Sequence, residues 1–344
     1  LNDSTLELSN SDWERLRAMR TSFLSQIDAT TTLPDYWNST RDLEIYDATF
    51  GARIAWKWNA VLGEIARRGV EIPHGPVLDW GAGTGIAGRA FLRHFGTKER
   101  SVSFLDRSRA AVQFAERKTR EEFSDVVIVP PAVAATSSST SASEPKSGGT
   151  GVMLASHVID ELDDAGRAEF VARARTAQLL IWVESGAKTT SRALSSVRDA
   201  LLDDLDPLLP CTHRSTCGVL AEARANDWCH HFAPPAPDAF TTLFWRTFSR
   251  TLSIDMRSLP YSYLVARRRE SERRYDADVV RVIGTPRLDK GRATLTVCGT
   301  DGLRESMLLE RLDRPRFKTL EKGTAERRLA IHEKNGRIER IETR

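Results

Sequence analysis

Val77-Leu78-Asp79-Trp80-Gly81-Ala82-Gly83-Thr84-Gly85 decides the fold: a short apolar run ends in three glycines at alternate positions, and Ile86 to Phe95 behind it reads as helix. Glycine has no Cβ, so the backbone can turn sharply there and a ligand can come close to it. The N-terminus of the following helix offers N–H groups to that ligand. A dinucleotide turn has the spacing Gly-x-Gly-x-x-Gly, whereas this one is Gly-x-Gly-x-Gly with an acid, Asp79, two residues before the first glycine. A glycine motif taken alone also fits a structural turn in some other α/β protein.

The surrounding pattern extends the strand-turn-helix unit. Val102 to Asp106 reads as a second strand, Ala110 to Glu122 as a helix and Val126 to Val129 as a third strand. Val152 to Ala155 and Leu179 to Val183 supply a fourth and a fifth, with Asp164 to Ala177 helical between them. Strands alternating with helices predict an α/β fold with a doubly wound, Rossmann-like sheet. Upstream, Ile45, Phe50, Ile54, Trp58, Val61, Leu62 and Ile65 recur at helical spacing until Pro73 and Pro76 break the pattern, so residues 1–72 form a helical lead-in and 73–206 the core. The Ser/Thr/Gly-rich stretch Thr136 to Gly151 cannot build a core and is expected as a flexible surface loop. Residues 207–248 hold a cysteine-rich segment. Short β-rich runs at Tyr261 to Ala266, Val279 to Ile283 and Ala293 to Val297 predict a small basic β domain over 249–318, and 319–344 reads as a charged, helix-prone tail.

At 344 residues and 40% hydrophobic content the chain can bury one large core and a smaller one. The net charge of +3 hides an asymmetry, since Arg246 to Arg344 carries 24 Lys/Arg against 15 Asp/Glu while the rest is acidic. A basic end of this kind either meets phosphate or is a solvated face. No apolar run reaches the roughly 18 residues of a membrane span, and the polar, acidic start is unlike a signal or transit peptide, so a soluble protein without a membrane partner is expected. Four cysteines are too few for a secreted disulfide scaffold of this length, which leaves reduced thiols or a metal site.

The glycine turn with its preceding acid resembles the first motif of class I methyltransferases. The resemblance implies S-adenosylmethionine as cofactor, held by Gly81, Gly83 and Gly85, with Asp79 near the methionine ammonium and Asp106 accepting from the ribose hydroxyls. It does not establish catalysis. Methylation of an exocyclic base amine usually needs an Asn/Asp/Ser-Pro-Pro-aromatic motif after the fourth strand, where this chain has Ala155-Ser156-His157-Val158-Ile159-Asp160-Glu161. Nor does a cysteine stand at the end of the fourth or fifth strand to act as nucleophile in carbon-5 cytosine chemistry. His157 and Glu161 are the acid-base candidates, and the alternative for each is a structural role.

Cys211, Cys217, Cys229 and Cys298 all follow the core. Three thiols close in sequence plus one distant one suit a cubane iron-sulfur cluster or zinc, but with no Cys-x-x-Cys pair the spacing equally allows four isolated buried thiols. Leu209-Pro210-Cys211-Thr212-His213, Cys217, Trp228-Cys229-His230-His231-Phe232, Ser262-Tyr263-Leu264-Val265, Arg281-Val282-Ile283-Gly284-Thr285-Pro286 and Val297-Cys298 are similar to the ordered signatures of the mitochondrial small-ribosomal-subunit methyltransferase-like family and its bacterial relatives, over about Tyr46 to Cys298. That resemblance implies a [4Fe-4S] cluster on the four cysteines and assistance in small-subunit assembly, with rRNA cytosine methylation as the active alternative. The chain departs from the family at Thr212 and Gly218, where prolines are common, and in the doubled His230-His231; no thiol is lost. His213, His230 and His231 could replace a ligand, but with four thiolates available they read as supporting residues.

Together these lines predict an assembly factor that presents Arg267, Arg268, Arg269, Arg273, Arg274, Arg281, Arg287, Lys290 and Arg292 to rRNA phosphates and is monomeric off the ribosome. The place of action would be the bacterial cytoplasm, or the mitochondrial matrix for a processed eukaryotic chain. A small-molecule methyltransferase is a third reading, and it would leave the basic β region and the cysteines without a purpose.

Overall fold

In the computed structural model, residues 7–25, 37, 39–131, 151–270, 273–323 and 325–343 are described. The chain runs α1 (Asn10–Ser25), α2 (Thr40–Tyr46), a π-helical turn (Asp47–Gly51), α3 (Ala52–Arg67), β1 (Gly75–Trp80), α4 (Ile86–Phe95), β2 (Arg100–Leu105), α5 (Arg109–Glu122) and β3 (Val127–Ile128). It continues with β4 (Val152–Ser156), α6 (Asp164–Ala174), β5 (Leu179–Ser185), α7 (Lys188–Ala200), β6 (Leu205–Leu209), β7 (His231–Phe232), α8 (Asp238–Thr241), α9 (Leu243–Leu252) and β8 (Pro260–Arg268). Last come β9 (Val279–Asp289), β10 (Arg292–Gly299), β11 (Gly302–Leu309), α10 (Arg314–Glu321), β12 (Arg328–Lys334) and β13 (Arg337–Thr343). Two compact units divide it, Leu1–Glu184 with Phe232–Tyr261, and Ser185–His231 with Ser262–Arg344.

The first unit holds a parallel sheet in the order β3-β2-β1-β4-β5, with Val77 opposite both Val102 and Val152, and Val152 opposite Leu179. The strand interiors are buried throughout, as sheets covered on both faces require, and Phe170 of α6 meets Trp182 at a tilt with centroids 4.2 Å apart and Trp80 edge-on at 5.0 Å. The strand order reverses beside β1, between β2 and β4, so the carboxyl ends there form the crevice where doubly wound sheets take ligands. Upstream of this sheet, α3 buries Trp58, Val61, Leu62 and Ile65 along one face. α1 and α9 add Leu16, Trp245 and Phe248 to a second core with Ile45 of α2.

In the second unit, β6 pairs antiparallel with β8, Leu205 opposite Arg268. The strand around Tyr261 to Ala266, expected within the small β domain, therefore lies outside the barrel that follows. That barrel is closed, in the order β10-β11-β13-β12-β9. Val280, Val282, Leu295, Val297, Leu308, Leu329, Ile331 and Ile338 fill it, with Phe317 and Leu320 of α10 packed into the same core. Residues 319–344, expected as a helix-prone tail, supply β12 and β13 and close the barrel. Their apolar residues alternate with charged ones because only one face of each strand meets the core. The loop expected at 136–151 lies outside the described residues except for Gly151.

Candidate functional site

The glycine turn leaves β1 and enters α4 with Gly81, Gly83 and Gly85 all in the left-handed region, at φ 67°, 51° and 78°. A side chain at Gly81 would overlap Val158, and one at Gly85 would come within 2.8 Å of Ala115, whereas nothing stands within 4 Å of the corresponding point at Gly83. The turn amides are occupied by the protein: Gly81 and Ala82 N–H donate to Leu105 O, Gly85 N–H to Ala82 O, and Gly83 N–H to Asp106 Oδ2 at 2.8 Å. The glycines therefore act through shape and close approach rather than as N–H donors. Asp106 also accepts from Ser108 N–H at 2.8 Å, so the carboxylate expected on a ribose braces the turn as well.

Asp79 is fully buried, and its Oδ2 accepts from Gly88 N–H at 2.8 Å. Burial, with the Asp106 charge adding to it, pushes the carboxyl up to about 7. Asp79 Oδ1, Trp80 Nε1 and Thr84 Oγ1 are buried without a partner among the described residues, although buried polar atoms are ordinarily satisfied. An acid and a hydroxyl left open around one turn fit a ligand carrying both donors and acceptors.

The end of β4 sits against this turn through Val158. His157 has φ 55°, its N–H donates to Val183 O at 2.9 Å, and its Nε2 lies 3.4 Å from Lys57 Nζ of α3. Removal from water lowers Lys57 to about 7 and His157 well below its ordinary value. Glu184 of β5 is 1% exposed, and its Oε1 accepts from Val158 N–H at 2.9 Å, Ile159 N–H at 3.1 Å and Trp182 Nε1–H at 2.6 Å. Burial pushes Glu184 up to about 8. Glu161, the other acid-base candidate, is ion-paired with Arg107 at 3.7 Å. Lys57 and Glu184 escaped sequence reasoning because each sits in an otherwise apolar or amphipathic run.

Glu184 gives a pH prediction. Its folded pKa lies above the unfolded one of 4.5, so its contribution is fully present below pH 4.5 and is lost as pH rises through about 8. Glu184→Gln keeps the accepting oxygen and removes the ionisation. Thermal unfolding from pH 5 to 8 should show the parent losing roughly 1–3 kcal/mol relative to the variant; parallel curves would contradict this.

The four cysteines all belong to the second unit and carry free thiols. Thr212 Oγ1 donates to Cys298 O at 3.1 Å, His213 Nε2 lies 3.2 Å from Cys298 Sγ, and His231 Nε2 lies 3.7 Å from Cys229 Sγ. Two arginines of α7 organise the segment between them. Arg192 Nη1 donates to Arg224 O at 3.2 Å and Asp227 O at 3.0 Å; Arg198 donates to His213 O at 2.8 Å and Ser215 O at 2.6 Å. Asp199, paired with Arg198, accepts from Cys217 N–H at 2.9 Å. Burial raises the Cys217, Cys229 and Cys298 thiols, and each is raised further by the charges of neighbouring cysteines: Cys211, Cys217 and Cys298 all act on Cys229. The positive charge of Arg198 lowers Cys217 and that of Arg281 lowers Cys229 against this trend. Among the described residues, no three of His, Cys, Asp and Glu form a group that could hold a single metal ion.

Of the cations expected on RNA, Arg268, Arg269, Arg273, Arg274, Arg287, Lys290 and Arg292 are exposed and Arg267 is partly so. Arg281 is a correction: it is 4% exposed, with its guanidinium 6.0 Å from the Tyr263 ring centroid, and cannot meet a phosphate. Its strand faces the cysteine segment rather than solvent. Among the described residues no helix is long and apolar enough to cross a membrane.

A family model described as the mitochondrial small ribosomal subunit Rsm22 matches residues 46–323. No curated protein matches the chain. Solved structures similar to it include the plantazolicin methyltransferase BpumL in complex with SAH, at TM-score 0.40 and 11% identity over 75% of this chain and 98% of that one. A SAM-dependent methyltransferase from Aquifex aeolicus matches at TM-score 0.32 and 13% identity over 44% and 76% of the two chains. Precorrin-6y C5,15-methyltransferase from Geobacter metallireducens matches at 0.34 and 10% over 60% and 84%.

Proposed function

Because the chain belongs to the mitochondrial small ribosomal subunit Rsm22 family, we propose that it is a methyltransferase-like, S-adenosylmethionine-binding protein that carries a [4Fe-4S] cluster, binds the small ribosomal subunit and its rRNA, and assists subunit assembly. The observation that carries this reading is the extent of the family match, which takes in the glycine turn and all four cysteines. Work on that subunit puts the chain wherever the subunit is built, the cytoplasm of a bacterium or the matrix of a mitochondrion.

S-adenosylmethionine suits the open atoms of the first unit. Asp79 offers an unpaired oxygen to an ammonium, Gly83 leaves space above the backbone, and Asp106, which braces the Gly83 and Ser108 N–H groups, stands beside the turn where the ribose hydroxyls would lie. When bound, this cofactor supplies an electrophilic methyl group on a sulfonium sulfur. For the cluster, Cys211, Cys217, Cys229 and Cys298 are the ligands, and the buried cations Arg198 and Arg281 offset thiolate charge that burial alone disfavours. An active rRNA methyltransferase is the second reading. What favours it is the Lys57–His157 pair at the end of β4, an amine close to neutrality at physiological pH that could take a proton.

Protein purified without oxygen should be brown, with broad thiolate-to-iron absorption near roughly 400 nm. Colourless protein with one zinc per chain would remove the cluster and keep the ligands. Salt-sensitive co-sedimentation with small subunits tests the ribosomal part, and a chain that stays in the supernatant at low salt would refute it.

A further inference from the structure

The barrel of the second unit has a specific connectivity. β9, β10 and β11 form an antiparallel meander, α10 follows, and β12 and β13 return so that β13 runs parallel to β11 and β12 closes onto β9. That is the five-stranded OB-fold path, whose members take oligonucleotides on the second and third strands between the first and last hairpin loops. Connectivity alone assigns no ligand. The outer wall of this barrel supplies the chemistry.

Side chains facing outward on β10 and β11 pair as Arg292 with Leu309, Thr294 with Met307, Thr296 with Glu305 and Cys298 with Leu303. The chain itself covers one end of this wall: Thr212 and His213 sit on Cys298, Arg224 donates to Leu303 O at 3.1 Å, and Gly218 packs on Leu303 so closely that a methyl group would not fit. At the other end, Thr294, Thr296, Met307 and Leu309 are part-exposed among the described residues. There Met307 N–H donates to Gly336 O at 2.8 Å and Glu310 N–H to Gly291 O at 2.9 Å, which brings the β12–β13 and β9–β10 turns to the same stretch of β11. Those turns bring exposed Lys290, Arg292, Lys334 and Arg337 together, with exposed Arg287 opposite Thr294. Asp289 at 3.1 Å from Arg292 and Glu305 at 3.0 Å from Arg287 temper them, Glu310 at the same turn is paired with Arg314 at 3.4 Å, and the balance stays positive.

We propose that this part-exposed half of the barrel wall, bounded by the β9–β10 and β12–β13 turns, binds a single-stranded segment of RNA. The proposal rests on the rRNA reading above and adds to it the place, the strandedness, and Lys334 and Arg337. Phosphates lie on the two cationic turns, the Thr294 and Thr296 hydroxyls meet base edges, and Met307 and Leu309 cover base faces. With two strands of part-exposed wall, a width of about 10 Å, the surface admits one extended strand better than a duplex. No aromatic ring stands on β10 or β11, so stacking adds little and binding should be dominated by phosphate contacts and be strongly salt-dependent.

The test is fluorescence anisotropy of the full chain with a labelled uridine oligonucleotide and with an RNA duplex of equal length, across a salt series. The single strand should bind roughly ten-fold more tightly than the duplex. Lys290→Ala with Arg337→Ala should cost roughly ten-fold at about 0.1 M salt and flatten the salt slope by about 1.4, two contacts at 0.7 each. Arg246→Ala with Arg250→Ala, exposed on α9, should leave both unchanged. Equal loss from the two pairs, no loss from the first, or a preference for duplex overturns the proposal. Co-sedimentation of the same proteins separates the two readings: a parent that binds the oligonucleotide but never the small subunit refutes the ribosomal reading alone, whereas subunit binding unaffected by the barrel pair alongside unchanged oligonucleotide binding refutes the barrel alone.

Discussion

Gly81→Ala is expected to lower the unfolding free energy by about 2–4 kcal/mol, whereas Gly83→Ala, two residues on in the same turn, should cost about 1 kcal/mol and instead remove cofactor binding. Both glycines have a positive φ, so both variants meet the left-handed penalty of an L-residue. Only at Gly81 does the new methyl group also overlap a neighbour, Val158. Val158 has little room to retreat, because its N–H is held by buried Glu184 and the preceding His157 N–H by Val183 O. Val158→Ala added to Gly81→Ala should therefore recover part of the loss, with a coupling energy of at least about 1 kcal/mol in a double-mutant cycle followed by urea unfolding. At Gly83 the methyl group enters space that no protein atom fills, so calorimetry with S-adenosylmethionine should show lost affinity in a folded protein. Undiminished binding by Gly83→Ala would mean that the cofactor does not lie over this turn.

The part of the fold built from repeated local signals could be read in the sequence. The Gly81 to Gly85 turn, the five strands around it and α3 with its Trp58 to Ile65 face follow from glycine placement and from periods of two and 3.6, which need no knowledge of partners. What could not be read was set by which face a residue meets. Arg281 lies in the run Val-Arg-Val-Ile, where alternation points it out of the barrel and composition marks it for solvent; the outer wall there is covered by the cysteine segment, so the guanidinium is buried. The same covering hides Cys298, whose nearness to residues 211–229 no spacing rule could give. β12 and β13 were masked by charge, since a small barrel needs only Leu329, Ile331 and Ile338 turned inward and leaves the rest of each strand free to be Arg, Glu and Lys. Lys57 and Glu184 are single ionisable residues in apolar surroundings, and sequence gives no sign that α3 and the ends of β4 and β5 converge.

Cys229→Ser is expected to lose co-sedimentation with the small subunit at moderate salt, whereas Asp106→Ala keeps it. The cysteine segment lies against β10, where Thr212 and His213 contact Cys298 on the barrel wall. Fe–S bonds at all four positions would fix that covering, and with it the placing of the barrel cations Arg287, Lys290 and Arg292 relative to Arg268 and Arg269 at the end of β8. Removing one thiolate leaves the other buried thiols, already raised by burial, without the cluster that would stabilise them as anions, so the segment should loosen and these two groups of cations should lose their common alignment. Asp106 belongs to the first unit. Its loss frees the Gly83 and Ser108 N–H groups and removes an acceptor for the ribose, which should weaken S-adenosylmethionine by about 1.5–3 kcal/mol and leave the cationic wall intact. Parent protein stripped of iron by a chelator provides the control against a merely misfolded serine variant, because its sequence is unchanged and it should lose the subunit in the same way. If Cys229→Ser folds and sediments like the parent while Asp106→Ala does not bind, the cysteines are not what holds the ribosomal surface together, and an enzyme gated by its cofactor becomes the better account.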